Sequence, residues 1–438
     1  MGIKNQELKN KKVGFVALGC AKNTVGLEKM ISTIKNFGMQ IVGDERDANI
    51  MVINSCAFLA STRQEGFDLI KEFSALKSSN LEKIILTGCL PNYRLQDVSK
   101  KLAGVDLILT QDRNAHIVEE IAKLYGMNLT CEYDGFSRTL TTPNHYAFLR
   151  IADGCDNFCS YCTIPYITGR YRSEPIDSLV REAKALVSNG ARELILVAQD
   201  ITTYGKDLYG RVELKNLIDQ LSNITDLNRI RLVYCYPEHI TDELIDIIKN
   251  NDKVCKYIDI PLQHIANNVL KKMNRQNTKE NTLALIQKLR AQIPDIQIRT
   301  TFILGFPHET EKDFEELCDF VRTQKLNQVG FFAYSREFGT PAYEMDGQID
   351  ETTKHDRLAR LAEIQYDVVE ENNRAQIGKE YVCIADEIVD GKTIMHSQYQ
   401  MPRDDSAVIV NRPLQIGGEY MVKIVGLDGY DLLGEISK

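Results

Sequence analysis

Three thiols, Cys155, Cys159 and Cys162, stand within eight residues of one another in the stretch GCDNFCSYC. A structural zinc site closes a tetrahedron of four ligands, and no fourth Cys or His sits nearby at ligand spacing, so zinc needs a distant residue to complete it. A redox pair needs only C-x-x-C and leaves Cys155 idle. Three thiolates from one loop suit three irons of a cubane iron–sulfur cluster, with the fourth iron open to a small chelating ligand.

Three further cysteines end strand-like runs: VALGC gives Cys20, VINSC gives Cys56 and LTGC gives Cys89. In a parallel sheet the strand C-terminal ends share one edge, where such folds place their sites. Cysteine is also a common buried residue, but three at equivalent strand ends are expected to converge. Cys131, Cys235, Cys255, Cys318 and Cys383 show no ligand spacing and are expected to pack.

The elements that must position these thiols fall into three blocks. The first alternates strands (KVGFVAL, NIMVINS, KIILTG, VDLILT) with helical stretches such as Glu28 to Phe37 and Gly66 to Lys77, which predicts an open parallel α/β sheet over about residues 11–127. The second block, 141–371, repeats strand and helix six times through YAFLRIA, ELILVAQ, IRLVYCY, YIDIPL, IQIRTTFILGF and QVGFFAY. That pattern predicts a partial, TIM-like β/α barrel with its site at the strand C-terminal ends. Asp350 to Gln376 reads as a long helix linking to an all-β module at 374–438, with strands YVCIADEIV, AVIVN, EYMVKIVGL and DLLGEIS.

Composition narrows the function. The chain has 438 residues, enough for two or three cores, and 43% apolar with 26% charged residues describes a globular protein rather than a disordered one. No run approaches bilayer length and the first residues lack an apolar leader, so no membrane role and a cytoplasmic location are expected. Eleven cysteines in a reducing compartment favour metal or redox chemistry over disulfides. The net charge of −8, with seven Lys or Arg against ten Asp or Glu in the last 66 residues, argues against a polyphosphate substrate.

The C-x₃-C-x₂-C loop resembles the signature of the radical S-adenosylmethionine enzymes. The resemblance implies that the open iron binds S-adenosylmethionine and that the cluster's electron splits it into a deoxyadenosyl radical. It places Tyr161 near the adenine, and TTFILGFPHET, with Gly305, at the family's later glycine motif. Gln199 and Gln263, at strand ends of the second block, are ranked below the cysteines as cofactor contacts, with a turn role about equal for Gln199 and its neighbour Asp200. His264 is read as structural.

With Cys20, Cys56 and Cys89 upstream and a β tail similar to the TRAM domain, nearly the whole chain from Lys12 resembles the methylthiotransferases, and LGCAKN, AQDITTYGKDLYG and YIDIPLQHIANNVLKKMNR resemble the RimO branch. That branch implies two 4Fe–4S clusters, and S-adenosylmethionine as both methyl donor and radical source. The reaction it implies is addition of a methylthio group to the β-carbon of one aspartate of small-subunit ribosomal protein S-twelve, with a sulfur donor and an electron donor as further partners and no transfer RNA substrate. Radical chemistry suits that carbon: its C–H bond is too weakly acidic for a base, whose help is worth about 10²–10⁴-fold.

The sequence departs from the family in places. VGLE (Val25 to Glu28) stands where VDSE is usual, and the loss of Asp and Ser is expected to weaken a helix cap. Phe158 replaces a common Arg, His308 a common Gly, and GKTIMHSQYQMPRDD an Asp-rich recognition stretch.

Overall fold

A computed structural model describes residues 2–77, 80–93 and 99–437. The chain divides into two compact units, Met1–Thr142 with Phe148–Asn157 and Cys162–Asn189, and Pro143–Ala147 with Phe158–Tyr161 and Gly190–Lys438.

The first unit is built on strands β1 (Lys12–Ala17), β2 (Gln40–Val42), β3 (Ile50–Ser55), β4 (Lys83–Gly88) and β5 (Leu107–Ile108), in the order β2-β1-β3-β4-β5, every pair parallel. Three of the four expected strands match closely. VDLILT pairs over two residues only, and β2 lacks the apolar run that would have announced it. Apolar side chains pack both faces, Met30, Ile34, Val52 and Ile121 on one and Ile53, Ile70, Ile84 and Leu86 on the other. Full burial of each is worth about 1.5–3 kcal/mol.

The helix after β1 runs Ala21–Phe37, with Cys20 at its N-cap. Gly26 and Leu27 therefore lie in its interior, and Leu27 is core. The expected weakening of a cap at VGLE is corrected: the helix starts at Ala21, seven residues before Glu28. The following helix, Ala60–Leu76, likewise begins before the stretch expected from periodicity.

Glu28, on the first of these helices, is fully buried and anchors the returning chain. Its carboxylate takes Arg138 Nε at 3.0 Å and the amide and hydroxyl of Thr141 at 2.8 and 3.0 Å. Arg138 also reaches Glu182 at 3.1 Å, and Lys29 pairs with Glu182 at 2.7 Å.

Strand β6 (Tyr146–Arg150) leads into a two-stranded ladder of β7 (Ala152–Asp153) and β8 (Arg172–Ser173). The second unit then carries β9 (Glu193–Val197), β10 (Arg229–Leu232), β11 (Val254–Asp259), β12 (Gln297–Leu304) and β13 (Gln328–Ala333), which lie side by side in chain order and in parallel. With β6 at the edge this is the six-stranded open sheet expected of a partial β/α barrel. β10 stops at Leu232, short of the expected IRLVYCY, because Tyr234 turns into left-handed backbone at φ +61°.

A long helix, Glu351–Arg374, as read from sequence, leads to a closed barrel of β14 (Glu380–Val389), β15 (Lys392–Ser397), β16 (Val408–Val410), β17 (Glu419–Asp428) and β18 (Asp431–Ile436). β15 was missed: it occupies the divergent stretch GKTIMHSQYQMPRDD. That stretch is an internal seam of the second unit. Arg231 donates to the carbonyls of Ser397 and Gln398, Tyr257 to Asp405 at 2.8 Å, and Arg299 to Asp405 at 3.1 Å. The module thus packs against the sheet through β10, β11 and β12.

The same seam holds a buried chain of ionisable groups. His396 bonds Glu193 through Nε2 (3.0 Å) and Asp386 through Nδ1 (2.8 Å), Asp386 takes His145 at 2.7 Å, and Glu193 takes Arg231 at 2.7 Å. Burial alone would lower the His396 pKa, but Glu193 and Asp386 outweigh it and raise it. Burial would raise Asp386 and Glu193, yet His145 and His396 hold the first down, and Arg231 and His396 the second.

The signs follow from linkage. Raised His396 stabilises fully below its unfolded value of about 6.5 and loses that stabilisation as pH climbs through its folded value; the depressed carboxylates lose theirs only in acid, below about 4. The melting temperature of the full chain is expected to decline from pH 6.5 to pH 9, and the decline to flatten in His396→Gln. A variant declining as steeply as the parent in calorimetry would contradict this.

Candidate functional site

Because β1, β3 and β4 are neighbours in register, with Ala17 opposite Asn54 and Ser55 opposite Gly88, the residues after them share one edge. Cys56 and Cys89 directly follow β3 and β4, and Cys20 follows β1 by three residues. Gly88 must be glycine, since its φ is +90° and a Cβ would sit 2.3 Å from the Ser55 carbonyl oxygen. The three thiols meet electrostatically: burial pushes the Cys89 thiol up to about 12, and the neighbouring Cys20 and Cys56 push in the same direction.

Side chains that sequence reasoning passed over hold this edge. Asn23 donates to the Ser55 carbonyl at 3.2 Å and accepts from Cys89 at 3.6 Å, Asn54 donates to the Asn23 carbonyl at 3.0 Å, and Gln111 reaches the Cys89 sulfur at 3.7 Å. The available signal was the Asn within LGCAKN.

The second thiol loop is stitched to this edge at three points, all inside the first unit. Lys22, two residues after Cys20, pairs with Asp153, two before Cys155, at 2.9 Å. Thr163, next to Cys162, donates to the carbonyl of Phe58, two residues after Cys56, at 3.2 Å. Ile167, on the helix Ile164–Thr168, belongs to the same core as Cys89 and Leu90. Cys162 receives the Ile164 amide on its sulfur at 3.5 Å.

The remaining candidates lie in the second unit. Cys159 is buried, with its sulfur 3.4 Å from the Tyr236 hydroxyl. Tyr161 meets Phe306 edge to face at 6.5 Å, which brings it beside the turn after β12. Gln263 extends β11 past its end through a bridge to Phe302, in left-handed backbone at φ +68°. Gln199 is half-buried after β9, while its neighbour Asp200 caps the turn Ile201–Thr203 and pairs with His239 at 3.0 Å, so the turn role is the one Asp200 takes.

At the glycine motif, Gly305 has φ +72° and a Cβ there would strike Lys354 at 2.2 Å. The chain's own Lys354 thus already calls for glycine here. Its amide donates to Glu309 at 2.7 Å, as does that of Phe306 at 3.2 Å, and Arg357 bonds the other carboxylate oxygen at 2.8 Å. Glu309, which sequence reasoning missed, thus shapes the turn; burial lifts its carboxyl to about 7 against the pull of Arg357. His308, where the family has Gly, adopts φ +66°, the conformation glycine would take freely. His264 is fully buried, accepts the Ala266 amide at 3.0 Å and is pushed down to about 4 by burial, which fits the structural reading. Cys235, Cys255, Cys318 and Cys383 are buried, as expected of packing residues.

The donor sets suit iron–sulfur clusters. All eleven cysteines are free. Three thiols at one edge, with Cys89 pushed up by burial and by the other two, suit a cationic metal core, which deprotonates its thiol ligands outright. Tetrahedral zinc, at about 2.3 Å from each sulfur, would pull them into tight contact. Among the described residues the one trio of His, Cys, Asp or Glu ligand atoms all within 4.8 Å of one another is His145, Asp386 and His396.

Residues 149–321 match the Radical SAM superfamily, and residues 12–110 match "Uncharacterized protein family UPF0004". The chain is 41% identical over 435 residues to a protein from Thermoanaerobacter sp. (strain X514) named ribosomal protein uS12 methylthiotransferase RimO, covering 97% of this chain and 100% of that one. The chain belongs to the RimO family. RimO proteins of Desulforamulus reducens (41%) and Clostridioides difficile (40%) match over 97% of the chain and 99% and 98% of their own lengths. Among solved structures, the radical S-adenosylmethionine methyltransferase TsrM from Kitasatospora setae superposes with a TM-score of 0.56 at 13% identity, over 83% of this chain and 90% of that one, which establishes a shared fold. As a RimO-family member this is a radical S-adenosylmethionine methylthiotransferase, an enzyme class that uses a 4Fe–4S cluster and S-adenosylmethionine.

Proposed function

We propose that the enzyme replaces a hydrogen on the β-carbon of one aspartate of ribosomal protein uS12 with a methylthio group, using two clusters. Cys155, Cys159 and Cys162 would hold the cluster that, when loaded, supplies the electron for cleaving S-adenosylmethionine. Cys20, Cys56 and Cys89 would hold the second, where the sulfur to be transferred is methylated. The observation that carries this reading is the triple stitching of one cysteine loop to the other, through Lys22 with Asp153, Thr163 with Phe58, and Ile167 with Leu90. Cys155 and Cys162 tethered in the same unit as Cys20, Cys56 and Cys89 suit a reaction in which a radical and a sulfur must reach the same carbon.

In this reading Tyr161, Gln199, Gln263 and Gly305 line the S-adenosylmethionine side, residues 11–127, 141–371 and 374–438 act as sulfur-carrying, radical and TRAM domains, and a sulfur donor and a low-potential electron donor serve the enzyme in the cytoplasm. Among the described residues no helix is long and apolar enough to cross a membrane. The negative β module suits a basic ribosomal protein better than transfer RNA, and a transfer RNA substrate is not favoured.

Mass spectrometry of uS12 from cells with and without this enzyme tests the proposal. The expected result is one methylthio group on a single aspartate, present only with the enzyme. Unmodified uS12 in both strains, with methylthio-nucleosides lost from transfer RNA instead, would overturn it.

A further inference from the structure

The motif YIDIPLQHIANNVLKKMNR was singled out by sequence, and the reaction as proposed uses only its Gln263. Its last residues grip the cysteine loop. Ser160 donates its amide to the Met273 carbonyl at 2.9 Å and its hydroxyl to the Lys272 carbonyl at 2.7 Å, and Asn274 donates to the Phe158 carbonyl at 2.9 Å. Cys159 is therefore flanked on one side by Ser160, held by two backbone carbonyls of the helix end, and on the other by Phe158, held by the Asn274 side-chain amide.

Facing that fixed sulfur is a phenol with almost no freedom of its own. The Tyr236 ring has the Arg275 guanidinium 3.8 Å from its centroid and the stacked His239 ring at 5.4 Å. Arg275 is buried and tied to the Pro261 carbonyl at 2.9 Å, and His239 is tied to Asp200 at 3.0 Å. Both neighbours of the ring are themselves anchored, and its hydroxyl lies 3.4 Å from Cys159 Sγ.

A cluster-bound cysteine is a thiolate with no proton to give, so in the loaded enzyme the phenol must be the donor in this pair. Hydrogen bonds to ligand sulfur stabilise the more negative, reduced cluster and raise its potential. We infer that Tyr236, seated by Arg275 and His239, is a positioning residue that donates a hydrogen bond to the Cys159 thiolate and sets the reduction potential of the cluster on this loop. The inference rests on the ligand assignment proposed above.

The test uses the full chain with Cys20, Cys56 and Cys89 replaced by Ala, so that one reducible cluster remains, reconstituted anaerobically and titrated with dithionite while the reduced cluster is followed by electron paramagnetic resonance. Adding Tyr236→Phe is expected to leave iron at about four per chain and to shift the reduction equilibrium about tenfold toward the oxidised form, about 59 mV more negative for one electron. A midpoint unchanged within a factor of two, with iron retained, would overturn the inference while leaving the ligand assignment intact. If Tyr236→Phe does not retain iron, Arg275→Lys, which loosens the seat and keeps the phenol, is read instead: a shift in the same direction supports the inference, and an unmoved midpoint overturns it. A parent without any reducible cluster would overturn both the ligand assignment and the inference.

Discussion

Replacing Cys155, Cys159 and Cys162 together by Ala is expected to halve the iron of the reconstituted enzyme, from about eight to about four per chain, and to abolish cleavage of S-adenosylmethionine. The separation of the two effects is the informative part. Cys20, Cys56 and Cys89 sit on strand ends whose register is set by β1, β3 and β4, so they do not depend on the second loop for their placement. Their half of the iron should survive.

The reciprocal variant, Cys20, Cys56 and Cys89 to Ala, should also lose half the iron yet still cleave S-adenosylmethionine to deoxyadenosine, while transferring no methylthio group to uS12. Iron analysis with product chromatography reads both variants. Unchanged iron in the first, or lost cleavage in the second with its remaining iron intact, would contradict the division of labour.

The second large effect is on stability. Arg138→Ala leaves Glu28, fully buried, with only the Thr141 amide and hydroxyl to face. It also removes the cation that bridges Glu28 to Glu182. Breaking a buried pair from one side typically costs about 3–5 kcal/mol, because the remaining charge is uncompensated. A loss of that size is expected in urea unfolding of the first unit's transition. Removing both charges, with Glu28→Leu added to Arg138→Met, should recover most of it, since the desolvation cost disappears along with the attraction. A single variant within about 1 kcal/mol of the parent would show that the network contributes no more than a surface pair. The consequence reaches the site, because Glu28 fixes the helix that begins at Cys20 and carries Lys22 and Asn23.

Much of the candidate site was legible because its information is local. Cysteine spacing within one loop, and cysteines placed directly after short apolar runs, need only strand periodicity and the rule that parallel strands end on one edge. The six-stranded sheet and the C-terminal barrel were legible for the same reason. Errors fell where local pattern carries no signal. The helix after β1 begins at a cap formed by Cys20 rather than by Asp or Ser, and β15 hides in a polar stretch whose strand partners decide its conformation. Nor does local pattern announce that a Cβ at Gly305 would strike Lys354, a residue 49 positions away.

By itself, then, the sequence determined the fold class, the two sets of three thiols and the family. Tertiary structure alone decided which groups face one another: Glu28 with Arg138, Lys22 with Asp153, His396 between Glu193 and Asp386, and Tyr236 against Cys159. The physical reason is that periodicity specifies which face of an element is buried, whereas the partner of a buried polar side chain is set by the path of segments far away in sequence. Such a group must be satisfied where it lands, but its own identity does not say by whom.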